Sequence, residues 1–332
     1  MAIKALSWMV RACPPPVYCY HEIVHNQIVV DRFRAQGVIF VDDISEVPPG
    51  SPLMLSAHGS APEVVVAARA NGGYVVDAVC PLVTKVHHEV RVRAGKGYSI
   101  VYVGHEGHEE AVGTMAVAPD AMYLVETPGD VASLPAFDGP VAVLAQTTLA
   151  LSDWEGVLDA TAERFPNVWR PGRSDLCFAT TNRQSALMAM AGRCDAIVVI
   201  GSANSSNTRA LERRAIDAGC PRVLRVNSAL ELPDDLHGVV GVTAGASAPE
   251  ELVTAVIDRL NPVHGVTPVH ITDEDEYFPP PRNLRDMIDA IDVAVTVLNG
   301  GSLAQRDNAT SQSRMSDDRR TAASDVLAAL AN

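Results

Sequence analysis

Short hydrophobic runs recur along the first 265 residues, and each is followed by small and polar residues and then by a longer amphipathic stretch. Runs such as 100–103 and 196–200 have the length and the Val/Ile content of buried strands. The stretches 82–93, 154–164 and 208–218 have helical spacing of apolar residues. This alternation predicts parallel strands covered by helices, an α/β fold.

Two of these stretches repeat one another. Cys80 and Cys177 each follow a strand-like segment and precede a helix-like one. Gly104 lies 24 residues after Cys80, and Gly201 lies 24 residues after Cys177. Self-similarity at a fixed spacing indicates an architecture built from repeated units.

A third copy is visible at the start of the chain, where residues 17–22 resemble 101–106. With Tyr20 placed opposite Gly104 and Gly201, the matching cysteine falls at position −4, ahead of Met1. We therefore expect three pseudo-threefold-related α/β units, a trefoil with mostly parallel sheets around a central site. The expected ranges are 1–79 for an N-terminally truncated first unit, 80–176 and 177–265 for the others, 266–286 for a C-terminal strand (269–271) and closing segment, and 287–332 for a largely disordered tail.

Composition narrows the class of protein. With 332 residues, 47% of them hydrophobic and 20% charged, the chain is typical of a globular protein. The net charge of −14 argues against a nucleic-acid partner. No apolar run approaches the ~20 residues that span a bilayer, and the opening residues resemble a core helix, so we expect no membrane partner and a cytoplasmic location. Six cysteines are too few for a disulfide scaffold.

Cys80 and Cys177 are candidate metal ligands because the repeat brings them toward one axis. With one more cysteine from the first unit they would form a three-cysteine set suited to a cubane iron-sulfur cluster. Two alternatives stay open: a pair of buried structural thiols, or a zinc hydrolase in which a histidine joins the two cysteines. Cys194 and Cys220 have no counterpart in the repeat and are expected to be core or surface thiols.

Histidines and glutamates follow the predicted strand ends. Imidazoles bind phosphate oxygens, and a neighbouring carboxylate can deliver a proton, for which Glu109 and Glu110 are both candidates. The alternative is structural histidines and a solvated glutamate at a helix start. The third unit adds the polar segments 202–207 and 244–247, which suit either a phosphate cradle at a helix N-terminus or helix capping.

Eight motifs together resemble the 4-hydroxy-3-methylbut-2-enyl diphosphate reductase family over residues 1–286. They are HEIVHN, SAHG, CPLVTKVH, GHEGHEEAVGTM, QTTL, CFATTNRQ, GSANSSN and GVTAGASAP. The resemblance implies a [4Fe-4S] cluster that passes two electrons to an allylic diphosphate, with loss of its hydroxyl as water and formation of isopentenyl and dimethylallyl diphosphate. It also implies a ferredoxin or flavodoxin type electron donor.

Residue by residue, the resemblance implies that Cys80 and Cys177 are cluster ligands. Glu110 would be the proton source, with His108 and Thr147 as its catalytic neighbours. The implied diphosphate and substrate contacts are His25, His58, His108, Thr147, Ser205, Ser206, Asn207 and Ser247.

The front of the chain departs from the family pattern, which has a strand and a Gly-Phe-Cys-Ala-Gly-Val type segment ahead of the helix that begins here near Met1. We expect that the third cluster cysteine belongs to that segment and that this sequence begins at an internal methionine. Cys13, at the far end of a helix and roughly 20 Å away, and Cys19, facing a core layer, are poor substitutes. The alternative is a truncated paralogue that binds the diphosphate but lacks a competent cluster and is inactive.

Overall fold

A computed structural model describes residues 1–71, 73–172, 174–272, 281, 284–286 and 289. The helices are α1 (Ala2–Ala12), α2 (Gln27–Ala35), α3 (Pro62–Ala70), α4 (Pro81–Ala94), α5 (Glu109–Met115), α6 (Pro128–Ala132), α7 (Leu151–Arg164), α8 (Phe178–Ala191), α9 (Ser206–Asp217) and α10 (Glu250–Leu260). The strands are β1 (Val17–Tyr20), β2 (Val38–Val41), β3 (Leu53–Leu55), β4 (Val75–Asp77), β5 (Ser99–Val103), β6 (Met122–Val125), β7 (Val141–Ala145), β8 (Ala196–Ile200), β9 (Val223–Val226) and β10 (Val240–Ala244).

The strands of the described residues form three sheets in which every pair of neighbouring strands is parallel. The strand orders are β2-β1-β3-β4, β6-β5-β7 and β10-β8-β9, so the first strand of each group lies between its neighbours. Helices connect the strands, as parallel pairing requires. The predicted α/β fold with mostly parallel sheets is confirmed.

The hydrogen bonds at the ends of the central strands correct the register of the repeat. The N–H that bonds to the last carbonyl of the neighbouring strand belongs to Gly104 in the second sheet, to Gly201 in the third and to His21 in the first. The counterpart of the two glycines is therefore His21, not Tyr20. Matching letters aligned the wrong residue, because the hydrogen bonds between neighbouring strands set the register.

Helix α1 packs into the core of the first unit, as its apolar spacing predicts. Leu6 and Met9 are fully buried and belong to the same cluster as Cys19, Met54 and Val76. Burial of each large apolar side chain contributes roughly 1.5–3 kcal/mol. The first helix is thus a core element of the fold.

The C-terminal strand predicted at 269–271 is wrong. Residues 261–272 form no strand, and Ile271 is 52% exposed. A strand needs a neighbour for its backbone groups, and Pro268 has no N–H to donate. The rest of the expected closing segment and the tail at 287–332 lie almost entirely outside the described residues. None of the helices in the described ranges is long and apolar enough to cross a membrane.

Candidate active site

The two cysteines of the repeat are placed by the same backbone hydrogen bond. Cys80 N–H donates to the carbonyl of Ala57 at 3.0 Å, and Cys177 N–H donates to the carbonyl of Thr147 at 2.8 Å. Ala57 and Thr147 each lie two residues beyond the end of a strand that pairs with the central strand of its sheet, β3 and β7. Each cysteine is then the N-cap of a helix, α4 or α8.

Two opposing effects act on the pKa of both thiols. Burial raises the pKa of Cys80, and the charge of nearby Cys177 raises it further. Backbone N–H groups of the first helical turn oppose this effect at each sulfur by lowering the pKa of the thiol. Two half-buried cysteines that interact with each other at helix N-termini, where N–H donors stabilise thiolates, fit two ligands of a metal cluster.

The remaining four cysteines pack elsewhere. Cys13 and Cys19 contact the core of the first unit, and burial raises the pKa of Cys19 far above its ordinary value. Cys194 and Cys220 belong to the hydrophobic cluster of the third unit, as expected for core thiols. None of these four pairs with the two thiols at the helix starts.

Three histidines from two different units meet beside the cysteines. The rings of His25 and His58 are stacked with centroids 4.0 Å apart, and His108 lies edge-on at 5.1 Å from His25 and 6.0 Å from His58. His25 and His58 come from the loops after β1 and β3, whereas His108 is the N-cap of α5. The structure therefore brings together the three histidines named from the sequence.

Ligand atoms of His25, His58 and Glu109 all lie within 4.8 Å of one another, near enough for a single ion. The Nδ1 of His58 is 2.7 Å from Glu109 Oε2, however, so these two groups already satisfy each other with a hydrogen bond. We interpret the group as a hydrogen-bonded network.

Several donors around the histidines have no partner among the described residues. His108 Nδ1 accepts a hydrogen bond from the backbone N–H of Glu110 at 3.1 Å, so the hydrogen of the neutral ring is on Nε2, which is buried and unpartnered. Burial lowers the pKa of His108 to about 3, which keeps the ring neutral. Ser206 Oγ and both side-chain amide atoms of Asn207 are likewise buried without a partner. Buried polar groups are costly when unpaired, so such a set indicates a site for a polar ligand.

The start of α9 faces the histidines. Ser247 Oγ donates to the carbonyl of His25 at 3.2 Å, and the backbone N–H of Gln27 donates to Ser202 Oγ at 3.0 Å. Ser205 caps the helix, since its Oγ accepts from the N–H of Thr208 at 3.3 Å. A helix N-terminus with free hydroxyl and amide groups is suited to bind an anion.

Glu110 lies at the centre of the site. Its side chain is buried, and its carboxylate accepts hydrogen bonds from the N–H and Oγ1 of Thr147 at 2.6 and 3.0 Å. Burial, together with the nearby negative charge of Asp175, raises the pKa of Glu110 to about 7, although the two bonds from Thr147 oppose the rise. A carboxyl that gains and loses a proton near neutral pH is suited to general acid catalysis.

The two adjacent glutamates, which the sequence leaves as alternatives, differ in the structure. Burial alone would raise the pKa of Glu109, but the hydrogen bond from His58 and the electrostatic interactions with the His58, His25 and His21 rings bring it below its ordinary value. Glu109 is therefore ionised near neutral pH and is not a proton donor. Glu110 is the candidate acid.

Some of the residues that hold the site together are not identified by the sequence patterns. Gln146 Oε1 accepts from the N–H of His105 at 3.0 Å and positions the loop before α5. Asp175 accepts from Lys85 Nζ at 3.2 Å and from the N–H of Ala145 at 3.3 Å. Its place in the repeated segment before Cys177 is the signal that could have identified it.

Close packing of α5 on the loop after β3 joins the first two units. A Cβ at Gly113 would lie 2.5 Å from the carbonyl oxygen of Gly59. A side chain at Gly113 would therefore displace the loop that carries His58. The glycine is what permits His58 and Glu109 to meet.

A cavity of about 590 Å³ opens beside this site between the second and third units. His105 and Ser206 line it, together with Arg209, Arg213 and Asp153. Arg213 and Asp153 form an ion pair across the cavity at 3.1 Å. Ser206 lines the cavity and is also the first residue of α9, so the cavity leads from the surface to the start of α9.

Comparison with known proteins identifies the family and the fold. Residues 1–261 match the family model described as LytB protein. The chain belongs to the LytB protein family. It is 46% identical over 291 residues to the 4-hydroxy-3-methylbut-2-enyl diphosphate reductase of Rhodopirellula baltica, covering 86% of this chain and 91% of that protein. It is 44% identical over 298 residues to reductase 1 of Mycobacterium tuberculosis, covering 86% and 89%.

Solved structures give the same result for this LytB family member. A structure of the E-1-hydroxy-2-methyl-but-2-enyl-4-diphosphate reductase from Plasmodium falciparum superposes with a TM-score of 0.84 at 30% identity, covering 88% of this chain and 94% of that one. A second reductase structure, of the terminal enzyme of the non-mevalonate pathway, has a TM-score of 0.59 and covers 78% and 93%. The predicted membership of a reductase family, and with it the prediction of an enzyme, is confirmed.

Proposed function

We propose that this LytB protein reduces 4-hydroxy-3-methylbut-2-enyl diphosphate to isopentenyl diphosphate and dimethylallyl diphosphate. One observation supports this above all others. Glu110, a buried carboxyl with a pKa raised to about 7, lies near two helix-capping cysteines and beside His108, the N-cap of the same helix. Thiols for a redox cluster, an acid and donors for a diphosphate are what this reduction requires.

Cys80 and Cys177 are the proposed ligands of a [4Fe-4S] cluster. When bound, such a cluster supplies the two electrons of the reduction. Both cysteines belong to the chain's own repeat and are held by backbone bonds. These bonds would hold the backbone of both cysteines in place before the cluster is bound.

The diphosphate is proposed to occupy the space between the histidines and the start of α9. His25, His58 and His108 would face it from one side. Ser205, Ser206, Asn207 and Ser247 would face it from the other. The buried donors that lack partners in the described residues would then be satisfied by its oxygens.

Glu110 would protonate the hydroxyl that leaves. The overall change consumes two electrons and two protons, breaks the carbon–oxygen bond and releases water. Without a proton on the oxygen the leaving group would be hydroxide, which leaves poorly near neutral pH. Thr147, which donates twice to Glu110, would hold the carboxyl in position and lie beside the substrate hydroxyl.

An electron donor of the ferredoxin or flavodoxin type and a cytoplasmic location complete the proposal. The enzyme itself provides no continuous source of electrons, so a small redox protein must reduce the cluster for each turnover. Substrate and donor are both water-soluble, which suits a cytoplasmic reaction.

Anaerobic reconstitution with iron and sulfide tests the proposal. With a Gly-Phe-Cys-Ala-Gly-Val type segment of the family pattern added ahead of Met1 to supply the third cysteine, we expect roughly four irons per chain, the broad visible absorbance of a cluster, and turnover of the allylic diphosphate with a chemical reductant. Binding of the diphosphate with almost no iron and no turnover would instead support the alternative of an inactive, truncated paralogue that binds the diphosphate. One zinc per chain, with activity lost to a chelator, would overturn both.

A further inference from the structure

The hydrogen bond between His58 and Glu109 is a feature that the proposed chemistry does not use. It joins the first unit to the second, with a length of 2.7 Å between His58 Nδ1 and Glu109 Oε2. Side-chain exposure is 14% for His58 and 21% for Glu109. The pair therefore lies within the pocket, not on the protein surface.

The direction of this bond determines what His58 can offer a ligand. An ionised carboxylate only accepts hydrogen bonds, so the hydrogen lies on His58 Nδ1. A neutral His58 then has a bare lone pair on Nε2, which repels an anionic oxygen. His108 has the opposite arrangement, because its Nδ1 accepts a hydrogen bond from the backbone N–H of Glu110 and its neutral ring carries a hydrogen on Nε2. His58 can donate to a diphosphate only after it takes up a second proton.

The charges around His58 set the balance between its two forms. The titratable groups that face it are Glu109 and His108 from the start of α5, and His21, Glu22 and His25 from the loop after β1. Burial lowers the pKa of His58, and the bond to Glu109 opposes that effect. In the absence of a bound anion, the pocket is therefore expected to hold a neutral His58 ring beside an ionised Glu109. An arriving diphosphate adds negative charge, which favours the imidazolium.

We propose that Glu109 is the counter-charge that makes His58 an imidazolium when a diphosphate binds, so that binding takes up a proton. The inference rests on the proposed diphosphate binding and adds a positioning role for Glu109, which acts through His58. The two neighbouring glutamates then have separate tasks. Glu110 handles the proton of the reaction, and Glu109 handles the proton of binding.

Calorimetry with inorganic pyrophosphate, carried out on the 332-residue chain, tests this inference. Titrations in two buffers with different heats of protonation, near neutral pH and with a chelator present, give the number of protons taken up. We expect the wild type to take up about one proton more per bound pyrophosphate than Glu109→Gln. We also expect the variant to bind about tenfold more weakly, because a charge-assisted hydrogen bond becomes a neutral one.

Glu106→Gln is the matched control. Glu106 lies in the loop that leads to α5 and Glu109, and its side chain is exposed. This variant should bind and take up protons as the wild type does. Ionisation of pyrophosphate itself is the same in every arm and cancels in the comparison.

The outcomes separate this inference from the proposed function. Failure of the wild type to bind pyrophosphate would refute the diphosphate site itself. Binding with equal proton uptake in the wild type and Glu109→Gln would overturn the role of Glu109 and leave the site standing. If the variant does not fold, ¹⁵N spectra of the wild-type histidines decide. A His58 ring that stays neutral with pyrophosphate bound would overturn the inference.

Discussion

Glu110→Gln tests whether burial governs the protonation of the proposed acid. Gln has the same shape as Glu and keeps an acceptor for the N–H of Thr147, which donates to Glu110 at 2.6 Å. Its amide can also donate to Thr147 Oγ1, which is 3.0 Å from Glu110 in the wild type. The substitution therefore removes the ionisation and retains the contacts.

The size of the effect follows from the pKa of Glu110, which is raised from 4.5 to about 7. The unfolded chain ionises near the lower value and the folded protein near the higher one. Stability is thus highest below pH 4.5, declines as the pH rises toward 7, and is constant above it as far as Glu110 is concerned. The full difference is roughly 3 kcal/mol in the free energy of unfolding.

Urea denaturation at a series of pH values measures this difference. The free energy of unfolding of Glu110→Gln relative to the wild type should increase by roughly 3 kcal/mol between pH 4.5 and pH 7. The control Glu106→Gln should run parallel to the wild type. A constant difference between Glu110→Gln and the wild type across this range would refute the reasoning. Turnover by the reconstituted variant should fall by about 10²–10⁴-fold if Glu110 is the acid.

Three further substitutions test other parts of the site. Gly113→Ala should lower the free energy of unfolding by about 1–3 kcal/mol and weaken pyrophosphate binding, since its methyl meets the carbonyl of Gly59. Denaturation measures the stability, and calorimetry measures the binding. The control Gly129→Ala, whose methyl has room, should change neither the stability nor the binding. Asn207→Ala should weaken pyrophosphate binding in calorimetry without lowering the melting temperature, because its side-chain amide has no hydrogen-bond partner in the described part of the protein. A clear loss of stability would contradict a ligand-binding role. Cys177→Ser should lose most of its iron on anaerobic reconstitution, whereas Cys220→Ser should retain it.

The positions of Cys80 and Cys177 could be predicted from the sequence because they depend on local order. A strand, a short polar segment, a cysteine and a helix recur at one spacing, and parallel strands place their C-terminal ends at the same edge of a sheet. The same reasoning identified the histidines and left Glu109 and Glu110 as alternative acids, of which the family resemblance selected Glu110. The order of strands, loops and helices is enough to predict that these residues lie near the C-terminal ends of the strands.

The pairing of Glu109 with His58 could not be predicted in this way. The two residues are 51 positions apart, and their contact depends on how closely α5 approaches the loop after β3. No pattern of apolar positions encodes that distance. The strand expected at 269–271 failed for a related reason, because alternation suggests a strand but does not provide a neighbour for it.

The bonds that hold the two cysteines have a consequence for how the protein tolerates mutation. Their acceptors are main-chain carbonyls of Ala57 and Thr147, which every amino acid possesses. A substitution at either position therefore leaves the acceptor of the cysteine N–H in place. The side chains at the two positions differ in what they do: Thr147 also donates to Glu110, whereas Ala57 has no polar group to offer. Two segments with the same backbone bond can in this way carry different chemical roles.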